Sequence, residues 1–524
     1  MTMPVWSIAD LFEGLIGDDT VLATLSSGDH AGLEIHGLSL DSRLVQAGDL
    51  YLAVSGASTH GLRFAEDAIM RGAVAVAFNP AVLDSNPELD VFISSGSVSF
   101  IPVPELEQQC ANLATRFYHA PDETLDVIAV TGTDGKTSVC QFIASALSAT
   151  GTPCGYIGTL GWGLGSELQD TALTTPDVIT LRRMLASLKA QGAEAVAMEA
   201  SSHGIDTGRL ADLSVKVAVL TNLGRDHLDY HKTVEAYREA KAALFAFPSL
   251  DAIVVNADDE LGTELLRRAT QSGVNRIAYA SSSGASDIQE LEEDETLDAI
   301  RADHVHSVPT GLQFSLIDSN VSHEINSALM GRFNVDNLLA CYGSLKALGV
   351  AANEAVHALE AVTPVAGRME CFTGAGMPTV IVDYAHTPQA LSVALTAARA
   401  HCDGELWVVF GCGGDRDRGK RAPMAQAAVA ADRVIVTDDN PRSEASADII
   451  NDILEGFTQR AIADELVTVI NDRAMAIEHA IRAASAADIV LVAGKGHEDY
   501  QIVGTERRDF SDRLQVESLL KEAS

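Results

Sequence analysis

Residues 126–138 read DVIAVTGTDGKTS, and the rest of the chain is best read outward from them. An apolar run, Val127 to Val130, ends in a Gly-rich turn, and Lys136-Thr137 opens an amphipathic helix predicted to reach about Ala149. Strand, turn and helix in that order are what a triphosphate site requires. Gly132 and Gly135, with Thr133 and Asp134 between them, let backbone N–H groups close on phosphate oxygens. The helix N-terminus, where Ser138 follows, adds positive potential. Lys136 can neutralise the β- and γ-phosphates, and the Thr137 hydroxyl can ligate Mg²⁺. The stricter pattern G-x-x-x-x-G-K-[ST] asks for Gly at 130, where this chain has Val. A bare GK[ST] also occurs in ordinary strand-to-helix turns; the ordered strand, turn and helix select the phosphate reading.

At 524 residues the chain exceeds one ordinary core, so two to four domains are expected. A hydrophobic content of 47% with 41 Gly and 15 Pro reads as globular α/β. No apolar run approaches the ~20 residues of a membrane span, and the N-terminus MTMPVWSIADLFEGL lacks the basic start of a signal peptide. Seven cysteines, with no CxxC pair and none at metal-ligand spacing, predict reduced thiols and a cytoplasmic home. The net charge of −37 repels nucleic acid and anionic membranes. An anionic nucleotide must therefore be caught by local positive groups.

Residues 1 to about 105 form a first unit, in which 33–56 (LEIHGLSLDSRLVQAGDLYLAVSG) alternates like strands around the turn Ala47-Gly48-Asp49. Phe64 to Met70 reads as a helix and Ala73 to Phe78 as a strand. From about 106 to 364 comes the phosphate-loop domain. Its apolar strands run into polar ends: Ala195–Met198 into EASSHG, Val215–Leu220 into TNLGRDHLDYH, Ala252–Val255 into NADDE. Ligands of an open parallel sheet bind beyond the carboxyl ends of its strands. Glu199, Asn222 and His227 are thus expected on the edge that holds Thr137, the acid and the His as ligands of a phosphate-bound Mg²⁺. Residues 282–303 read as an exposed acidic excursion, Leu312 to Leu329 as antiparallel strands, and 331–349 as a turn and helix. From 365 to 524, strands at 379–383, 405–410, 433–437, 466–470 and 488–493 alternate with helix-period segments such as 388–400 and 473–484. That pattern predicts a Rossmann-like doubly wound sheet. Its strand ends carry DYAHTP (383–388), GCGGDRDRGKR (411–421), TDDNPR (437–442) and GKGHED (494–499), four clusters on one edge.

The motifs TGTDGKTS, MEASSHG, TNLGRDHLDYH, GRFNVDN, GRME, DYAHTP, GGDRDRGKR, DNPR and GKGHE, in this order over about residues 35–505, resemble the ATP-dependent Mur ligases of peptidoglycan synthesis. The resemblance implies three α/β domains: a UDP-muramoyl-peptide-binding domain (1–105), a central P-loop ATPase (106–364) and a Rossmann-like amino-acid-binding domain (365–524). It implies that a substrate carboxylate attacks the γ-phosphate to give an acyl phosphate, from which an incoming amine displaces phosphate to leave an amide. Mg²⁺ and Lys offset the charge that redistributes.

Matched position by position, the resemblance gives Lys136 and Thr137 to ATP and Mg²⁺, and Glu199 and His227 to Mg²⁺. Lys241, in YREAKAALF, matches a lysine carried as a carbamate that can bind a second Mg²⁺. Asn334, Arg368 and Asp383 match nucleotide contacts. Leu40, Ser42, the loop Ala57-Ser58-Thr59, Thr174-Thr175, Ser201 and Arg209 match contacts to the UDP-muramoyl-dipeptide. The chain departs from common family residues at Asp134 (often Asn), Leu173 (often Asn) and Thr207 (Gln in some members), which touches substrate contacts and not the reaction.

The added amino acid falls to Arg416, Asp439, Asn440, Pro441, Arg442, Gly494 and Glu498. The DNPR run resembles members that add meso-diaminopimelate, whose second carboxylate a guanidinium can fork. Lysine has a hydrogen there, and a buried Arg442 left unpaired would penalise it. A lysine-adding ligase, a folylpolyglutamate-synthase-like ligase and a regulatory ATPase that ligates nothing are the alternatives. The N-terminal unit with LDSR argues against the second. The implied enzyme is a cytoplasmic monomer working on small molecules, with no nucleic-acid or membrane partner.

Overall fold

The strand Asp126–Thr131 lies between Ala195–Glu199 and Val217–Leu220, parallel to both. Register pairs Val130 with Glu199 and Thr131 with Leu220, so the three carboxyl ends finish level. Cys154–Gly158 pairs parallel on the far side of Ala195–Glu199, and Gly161–Leu164 returns antiparallel beside it. Ala252–Asn256 borders Val217–Leu220. Later strands flank the phosphate-loop strand on both sides, which makes its carboxyl end a topological switch point. Val127–Thr131 are all buried, as the strand of a sheet covered on both faces must be.

The computed structural model describes residues 4–15, 25, 32–56, 59–94, 98–270, 273–281, 297–458 and 466–522. They fall into two compact units. One comprises residues 1–136, 147–254 and 259–276; the other comprises 137–146, 255–258 and 277–524.

In the first unit, Gly37–Ser39, Asp49–Ala53, Ala75–Phe78 and Ser99–Pro102 form an all-parallel sheet in that order. The turn at Ala47–Asp49 therefore joins no hairpin. A 3₁₀ turn, Ser42–Leu44, carries the chain across, because all five residues of Asp49–Ala53 are buried and such a strand needs cover on both faces. The antiparallel partner of Glu34–Ile35 is Trp6–Ser7. One core beside this sheet also takes in Val178 and Ile179 of the helix Val178–Ala190, which ties the first hundred residues to the phosphate-loop sheet.

In the second unit, Leu297–Val308, Gly311–Asp318 and Val321–Ser327 form an antiparallel meander. The expected acidic excursion thus ends earlier than read. Residues 282–296 lie outside the described residues, and 297–303 is strand, with Ile300 and Ala302 buried at alternate positions. Further on, Glu370–Phe372, Thr379–Asp383, Ile489–Ala493, Leu406–Phe410, Arg433–Val436 and Val467–Val469 form a sheet in that order, parallel except at the first strand. Separate apolar clusters cover its two faces, one built with Leu391, Leu395 and Ile453, the other with Ile477, Ile481 and Val516. This is the doubly wound arrangement expected, with strand bounds within a residue or two of those read from sequence. Among the described residues no helix is long and apolar enough to cross a membrane, and all seven cysteines are free.

Candidate active site

The phosphate loop is held from behind by the neighbouring strand end. Asn222 accepts from the N–H of Thr133 through its carbonyl and from the N–H of Asp134 through Oδ1, both at 2.9 Å. Thr221 Oγ1 donates to the Asp134 carbonyl at 2.6 Å. A Cβ on Gly132 would fall 1.8 Å from that same Oγ1, and φ there is +153°, so only glycine fits. Two lysines converge on the Gly132 carbonyl: Lys136 Nζ at 3.0 Å, which also bonds the Thr133 carbonyl at 2.9 Å, and Lys241 Nζ at 2.6 Å. Lys241 comes from the helix Val234–Ala242, is buried, and sits 4.5 Å from the ring centre of Tyr237. Burial, and then the charge of Lys136, push its amine down to about 6. The Tyr237 hydroxyl in turn meets Thr133 Oγ1 at 3.0 Å.

Glu199, buried at its strand end, accepts from the Tyr156 hydroxyl (2.7 Å) and Thr159 N–H (2.8 Å) at Oε1, and from Thr159 Oγ1 (3.2 Å) at Oε2. Thr159 Oγ1 also meets Thr174 Oγ1 at 3.1 Å. Thr175 Oγ1 donates to the Glu199 carbonyl (2.8 Å) and accepts from the Ser201 N–H (2.9 Å), while Arg209 Nη1 donates to the Thr175 carbonyl (2.8 Å). The structure thus links Glu199, Thr174, Thr175, Ser201 and Arg209 in one network. His227 has a left-handed backbone (φ 53°), a half-exposed ring near His203 at 4.9 Å, and Asp226 Oδ2 3.5 Å from its Nε2. Among the described residues no group of three or more His, Cys, Asp or Glu is placed to hold a metal ion. The oxygens of Glu199 and the Thr137 hydroxyl are of the kind a hard divalent cation takes. The neutral amine that burial enforces at Lys241 is what carbamate formation needs. Ser42, on the buried side of its 3₁₀ turn, and half-buried Leu40 and Thr59 lie in the N-terminal part; Ala57 and Ser58 lie outside the described residues.

In the second unit, Asn334 opens its helix with its amide between the Met330 carbonyl (2.7 Å) and Asn337 Nδ2 (2.8 Å). Arg368 stacks 4.6 Å over Tyr384, and its buried Nε has no hydrogen-bond partner among the described residues, an orphan donor that suits an anionic ligand. Asp383 accepts from the N–H groups of Met369 (2.7 Å) and Ala385 (2.8 Å), although burial lifts its carboxyl above the ordinary value. Gly367 brings the GRME turn onto GKGHE so closely that a Cβ there would lie 2.1 Å from the His497 nitrogen.

The residues read as selecting the amino acid do come together. Gly413 lies against Arg442, Arg416 and Asn440, and Gly494 against Asp439 Oδ2. Pro441 is buried between them in sequence, and Asn440 Nδ2 donates to Glu498 Oε2 at 3.1 Å. Arg442 is half-buried, not buried as expected. Its backbone is left-handed (φ 54°), pinned by hydrogen bonds from its N–H to the Ile502 carbonyl (3.0 Å) and from the Gly504 N–H to its own carbonyl (2.7 Å). Nη1 bonds the carbonyls of Gly414 (2.8 Å) and Asn440 (3.4 Å), and its Nε and Nη2 have no hydrogen-bond partner among the described residues. A guanidinium held by one nitrogen presents the others as a fork.

Sequence reasoning missed the supports: Tyr156 and Thr159 on Glu199, Tyr237 on the loop, and Lys495 behind Asn440 and Glu498. Only Lys495 had a signal, as the lone cation of GKGHE.

Three family models match the chain: Mur ligase family, catalytic domain, over 34–118; Mur ligase middle domain over 130–345; and Mur ligase, glutamate ligase domain, over 367–496. The UDP-N-acetylmuramoyl-L-alanyl-D-glutamate--2,6-diaminopimelate ligase of Pseudomonas putida is 45% identical over 93% of this chain and 95% of its own. That of Pseudomonas aeruginosa is 44% identical over 93% and 95%. A solved structure of a ligase of the same name is 34% identical, with a TM-score of 0.68 over 99% of both chains. A Mycobacterium tuberculosis folylpolyglutamate synthase shares the fold at 17% identity and a TM-score of 0.55, over 74% of this chain and 92% of that one. The chain is a ligase and belongs to the Mur ligase family.

Proposed function

We propose that the chain joins meso-diaminopimelate to UDP-N-acetylmuramoyl-L-alanyl-D-glutamate, with ATP converted to ADP and phosphate. The observation that carries this reading is the gathering of Arg416, Asp439, Arg442, Gly494 and Glu498 at one sheet edge, in a chain whose 45%-identical relatives are named for that reaction. The distal carboxylate of diaminopimelate meets the free edge of Arg442, with Arg416 beside it. Asp439 and Glu498 supply acceptors for its ammonium groups.

The glutamyl carboxylate of the dipeptide attacks the γ-phosphorus, giving an acyl phosphate and ADP. The amine of diaminopimelate then attacks the acyl carbon, phosphate leaves, and an amide remains. Lys136 and the start of the helix Lys136–Ala149 hold the phosphates, and Arg368 and Asn334 hold the nucleotide. Thr174, Thr175, Ser201 and Arg209 seat the peptide end of the muramoyl substrate, while Leu40, Ser42 and the 57–59 loop seat its uridine end. When bound, Mg²⁺ would offset the charge of the triphosphate and the reacting carboxylate. Thr137, Glu199, His227 and a carbamylated Lys241 would hold two such ions. Lys241 takes up CO₂ as the free amine, losing a proton to become a carbamate. The reading keeps three domains, 1–105, 106–364 and 365–524, in a cytoplasmic monomer.

The test is ADP release and the mass of the UDP-peptide with saturating ATP and Mg²⁺. Diaminopimelate should shift the mass by one residue and lysine should not. ADP release without any mass change would mean an ATPase that ligates nothing.

A further inference from the structure

GKGHE contains a cation that no step above uses. Lys495 is wholly buried, a costly place for an ammonium group unless it is paired and hydrogen-bonded. Its Nζ lies 3.1 Å from Glu498 Oε2, 3.3 Å from Asn440 Oδ1 and 5.5 Å from the ring centre of Tyr500. Asn440 closes the triangle. Its Nδ2 donates to the same Glu498 Oε2 at 3.1 Å, and its Oδ1 also accepts from the Ile502 N–H at 2.9 Å. Two donors at one end of the amide and a carboxylate at the other fix which way the amide points. Glu498 Oε2 thus has two protein donors. Its Oε1 has no hydrogen-bond partner among the described residues, on a side chain that keeps 19% exposure.

We propose that Lys495 is a positioning residue for amino-acid selection. Through its ion pair and through Asn440 it holds Glu498 in one orientation, so that Oε1 meets an ammonium group of the incoming diaminopimelate. The inference rests on the substrate reading above and deepens it. A carboxylate tethered at one oxygen and free at the other is an acceptor aimed in advance, and pre-aiming lowers the ordering cost of binding. Without Lys495 the carboxylate keeps only the amide and can turn toward water.

The test is a double-mutant cycle in the full-length enzyme, with Lys495→Met, Glu498→Gln and the pair, and with Lys495→Gln as a second variant. Lys495→Met should raise the KM for diaminopimelate about tenfold or more, with kcat within about threefold and the KM for ATP unchanged. In the Glu498→Gln background the same change should add less than about twofold, since the lysine acts through that carboxylate. Lys495→Gln, which returns a donor to Asn440 but no charge, should fall between wild type and Lys495→Met. Additive effects, or a loss in kcat with the diaminopimelate KM unmoved, would overturn the proposal. So would failure of both Lys495 variants to fold, which would make the lysine a determinant of the fold. Wild type that rejects diaminopimelate defeats the substrate reading and this proposal with it; wild type that accepts it while the cycle is additive defeats this proposal alone.

Discussion

The phosphate loop and the last sheet edge handle charge in opposite ways. At the loop, Lys136 and Lys241 both point at one carbonyl, that of Gly132, and neither has a carboxylate ion-pair partner among the described residues. At the sheet edge three cations are matched, Arg473 with Asp512 at 2.7 Å, Arg421 with Glu444 and Asp452 at 2.9 and 2.8 Å, and Lys495 with Glu498 at 3.1 Å, while Arg442 bonds only carbonyls among the described residues. The first arrangement leaves the charge of Lys136 unspent, which suits a polyanion that has to be caught in a chain of net charge −37. The second suits a zwitterion, whose separate charges need separately aimed partners. A site's surplus or balance of charge thus tells which kind of ligand it was built around.

The comparison breaks most visibly at Lys241. Lys241→Ala removes a group argued to become anionic, so turnover should fall by about 10²-fold or more, with partial return on adding a short-chain carboxylate. Turnover at the wild-type rate in the variant would remove Lys241 from the mechanism. A smaller loss should follow Gly132→Ala, whose new Cβ meets Thr221 Oγ1 and the backbone of Asn222. Overpacking of this kind costs about 1–3 kcal/mol, so the KM for ATP should rise roughly 5- to 100-fold while that for diaminopimelate barely moves. An equal rise in both would show that the two regions are not separable.

The smallest effect sharpens the other side. Burial, with Arg368 and Arg513 adding to it, pushes His497 down to about 4. The folded protein then resists protonation that the unfolded chain accepts from about pH 6.5 downward. Between about 6.5 and 4 the unfolded state binds more protons, so stability is lost as pH falls, by at most about 1.4 kcal/mol per pH unit for this group. His497→Gln should narrow the difference in Tm between pH 7 and pH 5 by a few degrees, at roughly 2–4 °C per kcal/mol. An unchanged difference in a scanning calorimeter would mean that His497 is hydrated in the fold.

Much of this was legible because apolar runs and glycines act locally. The run 127–130 with its Gly-rich turn specifies a strand, a loop and a helix start, and the structure has Asp126–Thr131 followed by Lys136–Ala149. The five C-terminal strands were legible for the same reason. Pairing direction was not: 33–56 alternates like strands around a turn, but Asp49–Ala53 pairs parallel with Gly37–Ser39 on one side and with Ala75–Phe78 on the other. The acidic run hid the start of Leu297–Val308 because its few buried residues, Ile300 and Ala302, are sparse among charges. Supporting contacts were least visible. Tyr156 and Lys495 act by tertiary reach across 43 and 55 residues to Glu199 and Asn440, which no local pattern encodes. The left-handed Arg442 is held by the strand Tyr500–Val503 and the turn after it, and reads in the sequence as an ordinary residue after Asn-Pro.

The central claim is that the free guanidinium edge of Arg442 selects the second carboxylate, and kcat/KM for diaminopimelate and for lysine, in wild type and Arg442→Ala, tests it most directly. Losing a charge-assisted partner costs about 2–5 kcal/mol, so the variant should lose roughly 30-fold to several-thousand-fold for diaminopimelate. Arg442 is half-buried with Nη1 already bonded, so lysine should change far less, and the KM for ATP should stay where it is. Equal proportional losses for both amino acids would contradict the account and make Arg442 a structural residue.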